Sequence, residues 1–492
     1  MIHLDELLNN LLQFQKSNNE NPLVKSIEMD SRQVKDGSLF ICIKGYTVDG
    51  HDFVDSAIEK GAIAILAERP LTNVTSVPVI VVNDTKRAMA IISNVFYDHP
   101  TKKMELIGVT GTNGKTTVTH LIEKILNDYH KKTGLIGTMY TKIGSEQFDV
   151  ENTTPESLVL QQYFKKMVDE NVNTAIMEVS SHALHLGRVR GCDFNIAVFT
   201  NLTQDHLDYH ETMEKYLYAK GLLFAQLGNT YDLNSKKVAI LNVDDQASLE
   251  YEKMTTAQVV TYGIEKDCDV RATNIKVTAE GTNFTLNAFG EEILISLQLI
   301  GNFSVYNALA ATAAALMADV PLGVIARSLQ EVSGVAGRFE KVDTEHQLAV
   351  IVDYAHTPDS LENVLQTIKE FAKGNIYVVV GCGGDRDRKK RPLMAGIASN
   401  YGDFVILTSD NPRSEDPKAI IKDMEEGLTD NSTNISIIDR KEAIYYAIKQ
   451  AKEEDVILIA GKGHETYQTI GKENFFFDDR LVAKQALKEL RD

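Results

Sequence analysis

Residues 108–120 read GVTGTNGKTTVTH, and their order decides the fold. An apolar run ends at Thr110, glycines stand at 111 and 114, Lys115 and Thr116 follow, and a helical pattern continues as VTHLIEKIL. A strand that turns through glycines into a helix aims backbone N–H groups and a helix N-terminus at one anion, as nucleotide phosphates require. Lys115 is placed to reach the outer phosphates and the Thr116 hydroxyl to ligate Mg²⁺. The pattern departs from GxxxxGK[ST] at its first position, where Val109 stands. A Gly/Asn turn with an exposed lysine would need none of this order. The stretch predicts a bound nucleotide but does not say what is done with it.

Outward from the loop, three blocks separate. The first, to about Pro100, has β-like runs SLFICIKG and VPVIVVND around a helix-like VDSAIEKGAIAILAE. The second alternates apolar strands (MELIGVTG, NTAIMEVSS, IAVFTNLT, KVAILNVDD) with helices, then changes to hairpin-like FTLNAFGEEILISLQL and an Ala-rich helix. The third, after about Gly337, has four β-like runs that each end in a polar cluster: LAVIVDYAH, IYVVVGCGGDRD, DFVILTSDNPR and DVILIAGKGHE. Helical patterns between them predict a doubly wound parallel sheet, whose ligands bind beyond the carboxyl ends of the strands.

The 492 residues exceed one ordinary core, and 43% hydrophobic with 24% charged residues is globular composition. A net charge of −18 argues against a nucleic-acid binder or a protein that clings to anionic lipid. Four scattered cysteines form no CxxC pair, so no zinc knuckle or disulfide framework is expected. The N-terminal MIHLDELLNNLLQFQ lacks the basic start of a signal peptide, and ALAATAAALMA is too short to span a membrane. These features predict a cytoplasmic protein without membrane insertion.

GTNGKTT resembles the ATP loop of the Mur ligases, which add amino acids to the peptidoglycan precursor. MEVSSH, TNLTQDHLDYH, GNFSVYNALAA, GRFE, DYAHTPDSL and GKGHE follow in family order, and the likeness runs from DSR at Asp30 to FDDR at Arg480. The resemblance implies an α/β fold of three domains. These are a smaller UDP-sugar-binding domain over 1–100, a central ATP-binding domain with a P-loop-type, mostly parallel sheet over 101–336, and a Rossmann-like amino-acid-binding domain over 337–492. It also implies ATP and Mg²⁺ as cofactors and a monomer.

Within that resemblance, Gly111, Thr112, Asn113, Gly114, Lys115, Thr116, Thr117, Asn307, Arg338 and Asp353 hold ATP, with Asp353 on ribose hydroxyls. Glu178 and His206 follow apolar strands and would reach the loop's edge of the sheet. Spacing alone makes His206 a helix-start histidine and Lys220 a solvated cation. The family instead uses matching residues as metal ligands beside Thr116, with Lys220 carbamylated by CO₂ into an oxygen-bearing anion. Lys115, Glu178, His206 and Lys220 are thus the expected catalytic set, while His182 and His210 are read as structural. Ser31, Tyr46, Thr47 and Val48 match contacts to uridine diphosphate. Asn152, Thr153, Thr154, Ser180 and Arg188 match contacts to the muramoyl-dipeptide of UDP-MurNAc-L-Ala-D-Glu.

TSDNPRSEDP, residues 408–417, decides the incoming amino acid. Family members that add the third stem residue take L-lysine or meso-diaminopimelate, which differ by one distal carboxylate. Arginine offers that carboxylate a planar fork, whereas it would repel lysine's distal ammonium. DNPR resembles the diaminopimelate form. Arg413 is then the fork, with Arg386, Asp410, Asn411, Pro412, Gly461 and Glu465 around the amino acid. The bland alternative pairs Arg413 with Glu415 or Asp416. A lysine-adding ligase, folylpolyglutamate synthase and a non-catalytic P-loop switch remain the rival functions.

Overall fold

The structure is a computed structural model that describes all residues except 46–47, 151, 229–230, 232–234, 279, 343–347, 430–431 and 491–492. The chain forms two compact units. One comprises Met1–Gly108, His130–Ala197 and Ala225–Lys237, and the other Val109–Tyr129, Val198–Phe224 and Val238–Asp492.

In the first unit a five-stranded sheet runs in the order Gln15–Lys16, Val79–Val81, Ala62–Ala67, Ser38–Ile41, Ser26–Glu28, parallel except at the Gln15–Lys16 edge. Period-two alternation feeds both faces. Leu39 and Ile41 pack with Ala88, Met89 and Ile92 of helix Thr85–Phe96, and Phe40 packs with Val54 and Ala57 opposite. The helix-like reading of VDSAIEKGAIAILAE is half wrong. Val54–Glu59 is helical, but Ala62–Ala67 is a strand inside the sheet. Gly61, at φ 101°, stops the helix, and the next apolar run suits either a buried helix or a strand covered on both faces. The same unit holds strand Thr174–Glu178, parallel to Thr133–Ile136.

In the second unit strands Val238–Asn242, Gln258–Gly263 and Val270–Thr278 pair in parallel. The expected hairpin follows as Gly281–Ala288 and Glu291–Leu297. The alanines of helix Asn302–Met317 are buried and let it pack closely on helix Lys115–Asp128.

The C-terminal sheet orders Glu340–Lys341, Ala349–Asp353, Val456–Ala460, Ile376–Val380, Phe404–Leu407 and Thr433–Ser436, parallel except at its first strand. Alternate residues enter two cores, Val378, Val380 and Leu458 on one face and Val379, Ile457 and Ile459 on the other. All four predicted polar clusters therefore stand at carboxyl ends of adjacent strands. Among the described residues no helix is long and apolar enough to cross a membrane.

Candidate functional site

Strand Glu105–Thr110 delivers the chain into residues 111–114, and helix Lys115–Asp128 begins directly after Gly114. The loop leans on the TNLTQDH segment. Thr112 N–H donates to Asn201 O (2.8 Å), Asn113 N–H to Asn201 Oδ1 (2.9 Å), and the Thr200 hydroxyl to Asn113 O (2.6 Å). Contact is so close that a Cβ on residue 111 would lie 1.8 Å from Thr200 Oγ1, so only glycine fits. Lys115 Nζ donates to Gly111 O (2.9 Å) and Thr112 O (2.7 Å), and the Thr116 hydroxyl accepts from Arg338 Nη2 (3.1 Å).

A cavity of about 260 Å³ opens beside this loop, with Asn113, Gly114, Thr117, Asn307, Arg338 and Asp353 in its lining. Of the ten predicted ATP residues, these six meet there. Asp353, at the end of its strand, accepts from Phe339 N–H (2.6 Å); burial pushes its carboxyl up to about 6, against the pull of Arg338. Arg338 lies 4.6 Å from the Tyr354 ring centre. Tyr354, Thr200 and Asn201 were missed from sequence, although each sits in a strand-end cluster that drew attention.

Lys220, on helix Met213–Ala225, is 1% exposed. Its Nζ donates to Gly111 O (2.7 Å), the carbonyl that Lys115 also uses, and lies 4.5 Å from the Tyr216 ring centre. Burial first, and the nearby Lys115 charge second, hold its pKa well below the ordinary lysine value, with Asp205 opposing. The solvated-cation reading fails. His206 adopts φ 55° and lies 3.3 Å from Asp205 Oδ2 through Nε2. Burial would raise the Asp205 carboxyl, but His206, His356 and Lys390 together hold it at about 2. His210 is buried, 5.2 Å from the Tyr216 ring.

In the first unit Glu178 is fully buried and accepts from Thr138 N–H (2.9 Å) and the Thr138 hydroxyl (2.9 Å). The Thr154 hydroxyl donates to Glu178 O (2.8 Å) and accepts from Ser180 N–H (3.1 Å). Arg188 donates to Thr154 O (3.1 Å) and pairs with Glu156 (2.7 Å). Thr153 shares a hydroxyl contact with Thr138 (3.1 Å), and Asn152 is exposed. Thr153, Thr154, Glu178, Ser180 and Arg188 thus form one cluster, with Thr138 and Glu156 as members not foreseen. Ser31 and Val48 share no hydrogen bond with it among the described residues; Tyr46 and Thr47 lie outside those residues.

At the C-terminal sheet Arg413 is half-buried at φ 50°. Its N–H donates to Thr469 O (3.1 Å), its carbonyl accepts from Gly471 N–H (2.8 Å), and its Nη1 donates to Gly384 O (2.9 Å). Among the described residues no carboxylate lies within ion-pair distance of it. Glu415 is taken by the fully buried Arg391 (2.7 and 3.0 Å), and Asp416 caps helix Pro417–Glu425. The bland pairing is excluded.

Asp410 and Asn411, from the same strand-end loop as Arg413, converge with Glu465 from the loop after strand Val456–Ala460. Asn411 Nδ2 donates to Glu465 Oε2 (2.9 Å), and a Cβ on Gly461 would meet Asp410 Oδ2 at 2.7 Å. Pro412 is buried, and its carbonyl packs on Gly384. Arg386 is exposed, and its Nη1 donates to Asp385 O (3.2 Å). The arrangement offers one guanidinium and two carboxylates at a strand-end edge, complementary to an amino acid that carries both charges.

Three sequence families match in succession: "Mur ligase family, catalytic domain" over 23–97, "Mur ligase middle domain" over 109–315, and "Mur ligase, glutamate ligase domain" over 337–463. The chain is 60% identical over 489 residues, 99% of each sequence, to UDP-N-acetylmuramoyl-L-alanyl-D-glutamate--2,6-diaminopimelate ligase of Halalkalibacterium halodurans. A solved structure of an enzyme of that name superposes with TM-score 0.68 at 34% identity, covering 95% of this chain and 96% of its own. A crystal structure of MurF from Acinetobacter baumannii has TM-score 0.70 at 20% identity, covering 99% of both chains, and shares the fold.

Proposed function

The chain belongs to the Mur ligase family, with its three-domain α/β fold, and we propose that it is the ATP-dependent ligase that adds meso-2,6-diaminopimelate in peptidoglycan synthesis. It joins the diamino acid to the D-Glu γ-carboxylate of UDP-MurNAc-L-Ala-D-Glu, giving ADP, phosphate and UDP-MurNAc-tripeptide. The observation that carries the substrate is Arg413, half-buried and without a carboxylate partner among the described residues, beside two converging acids.

A carboxylate cannot acylate an amine, because its oxygen is a poor leaving group. The γ-carboxylate therefore attacks the γ-phosphorus, forming an O–P bond as the bond to ADP breaks. The deprotonated amine then adds to the acyl-phosphate carbon, and the tetrahedral intermediate expels phosphate. Positioning and charge neutralisation are the protein's share of this work. Lys115 faces the outer phosphates, and Thr112, Asn113, Thr117, Asn307, Arg338 and Asp353 hold the nucleotide.

Lys220 is assigned carbamylation. Its depressed pKa supports this, since only the neutral amine attacks CO₂ and the product loses a proton to become an anion. Mg²⁺, which would neutralise phosphate charge, is assigned to Thr116, Glu178, His206 and carbamylated Lys220. Hydroxyl and carboxylate oxygens suit that hard ion, and a buried ammonium does not. The uridine nucleotide is assigned to Ser31, Tyr46, Thr47 and Val48, and the muramoyl-dipeptide to Asn152, Thr153, Thr154, Ser180 and Arg188. Diaminopimelate is assigned to Arg386, Asp410, Asn411, Pro412, Arg413, Gly461 and Glu465. The reading includes domain bounds at about 100 and 336 and action as a cytoplasmic monomer.

The test is competition. The enzyme receives ATP, UDP-MurNAc-L-Ala-D-Glu and equal L-lysine and meso-diaminopimelate, and the product is weighed by mass spectrometry. The tripeptide should carry diaminopimelate almost exclusively. Comparable lysine incorporation overturns the substrate, and no amino-acid-dependent phosphate release overturns the ligase.

A further inference from the structure

Lys462, the second residue of the GKGHE turn after strand Val456–Ala460, is 0% exposed. A lysine buried so completely is costly unless its ammonium is satisfied. Its Nζ donates to Glu465 Oε2 (3.0 Å) and Asn411 Oδ1 (3.0 Å), and lies 5.5 Å from the Tyr467 ring centre. Asn411 closes the ring by donating Nδ2 to the same Glu465 Oε2 (2.9 Å), while its Oδ1 also accepts from Thr469 N–H (2.9 Å). With Oδ1 committed to two donors, the Asn411 amide can face only one way. Glu465 in turn is anchored through Oε2, which accepts from both Lys462 and Asn411.

We propose that Lys462 is a positioning residue of the amino-acid slot: without touching diaminopimelate, it fixes Asn411 and Glu465 and balances one of two adjacent acids, so that the slot takes an ammonium. This rests on the assignment of that slot under Proposed function. The charge arithmetic supports it. Asp410 and Glu465 bring two negative charges and Lys462 one positive, leaving a net charge that matches a single substrate ammonium; Arg413 answers the distal carboxylate separately. The groups facing Glu465 are Asp410 from the loop after strand Phe404–Leu407, Lys462 and Tyr467 from its own segment, Tyr354 from just past strand Ala349–Asp353, and Arg440 from helix Arg440–Gln450. Arg440 is neutralised by a buried two-point pair with Asp479 (2.8 and 2.7 Å). Burial and then Asp410 raise the Glu465 pKa, and Lys462 is the first group to lower it.

A merely structural lysine would, when replaced, weaken every kinetic constant together. A positioning lysine splits them. In the full-length enzyme Lys462→Met should raise KM for diaminopimelate roughly tenfold or more while KM for ATP stays within about threefold. The acid limb of kcat/KM for diaminopimelate should move to higher pH, because Glu465 loses the cation that keeps it ionised. Lys462→Arg, which retains the charge, should recover part of the loss, and it carries the test if the methionine variant does not fold. In a Glu465→Gln background the Lys462→Met effect should largely vanish, since both act through one carboxylate. An unchanged diaminopimelate KM, parallel rises in both KM values, an unmoved acid limb or full additivity with Glu465→Gln each overturn the role. Failure of the wild-type enzyme to prefer diaminopimelate in the competition above overturns the slot itself, independently of any variant.

Discussion

Replacing Arg413 with alanine removes the one cation assigned to the distal carboxylate, and the structure bounds the cost. Loss of one partner of a hydrogen-bonded charge pair costs roughly 2–5 kcal/mol. Arg413 is half-buried, so solvent screens part of the interaction, and one of its N–H groups is already committed to Gly384 O (2.9 Å). Both facts favour the lower end, about 2–3 kcal/mol, or roughly 30- to 150-fold in kcat/KM for diaminopimelate. The backbone is a built-in control. Alanine carries a Cβ as arginine does, so the cost of φ 50° is common to both, and the hydrogen bonds with Thr469 and Gly471 use main-chain atoms. The assay is phosphate release with diaminopimelate varied at saturating ATP, repeated with ATP varied and with L-lysine as the acceptor. The expected result is a selective loss with diaminopimelate, an ATP KM within about threefold, and a narrowed preference over lysine as the cation that repels its ammonium disappears. Diaminopimelate kinetics within twofold of wild type would refute the fork, as would equal losses for ATP and diaminopimelate.

Other perturbations test the nucleotide side. Gly111→Ala forces a Cβ to within 1.8 Å of Thr200 Oγ1; the overpacked loop should raise KM for ATP and cost roughly 1–3 kcal/mol of stability, read as a lower melting temperature. Removing dissolved CO₂ should lower activity and added bicarbonate restore it, with ¹³C-labelled bicarbonate giving a carbamate signal that Lys220→Arg lacks; an enzyme indifferent to CO₂ would contradict carbamylation. Asp353, raised to about 6, binds its proton more tightly when folded, so its contribution to stability is present below the ordinary carboxylate pKa and is lost as pH rises through 6. Asp353→Asn should therefore be more stable than wild type by roughly 1–3 kcal/mol at pH 7.5 in thermal melts, yet bind ATP more weakly. No gain in melting temperature at that pH would contradict the burial cost.

What could be read from sequence was local. The phosphate loop is a contiguous run of strand, glycines, Lys-Thr and helix, and the four polar clusters end contiguous apolar runs, so each announces itself within about a dozen residues. Ala62–Ala67 was misread because an apolar run with alanines has no decisive period, and only the parallel neighbours on either side make it a strand. Lys220 and Lys462 were opaque for a deeper reason. Nothing near Lys220 in sequence reveals that it meets Gly111 O, over a hundred positions away, and GKGHE gives no sign that its lysine is sealed beneath Asn411. A lysine's exposure is a tertiary property, and single-sequence reasoning defaults to the solvated cation that most lysines are.

The same distinction explains why Arg413 could be singled out although its partners could not. Its anomaly lies in composition: an arginine in an acidic chain, among residues able to neutralise it, invites the bland explanation of a surface pair. That explanation fails through a competition visible only in three dimensions. Arg391, fully buried on helix Lys390–Tyr401, claims Glu415 with two short bonds and Asp423 with a third (2.8 Å), so the acid two residues beyond Arg413 in sequence is already spent inward. Held in a left-handed conformation by the hairpin Tyr467–Ile470 and Glu473–Phe476, Arg413 is then directed to carbonyl oxygens, which orient a guanidinium without cancelling its charge. A site that must recognise a carboxylate needs that condition, an oriented cation whose positive charge is still available. Arg391 contributes to it by holding Glu415, and Ser414 by holding Asp385, through its N–H and its hydroxyl (2.6 Å).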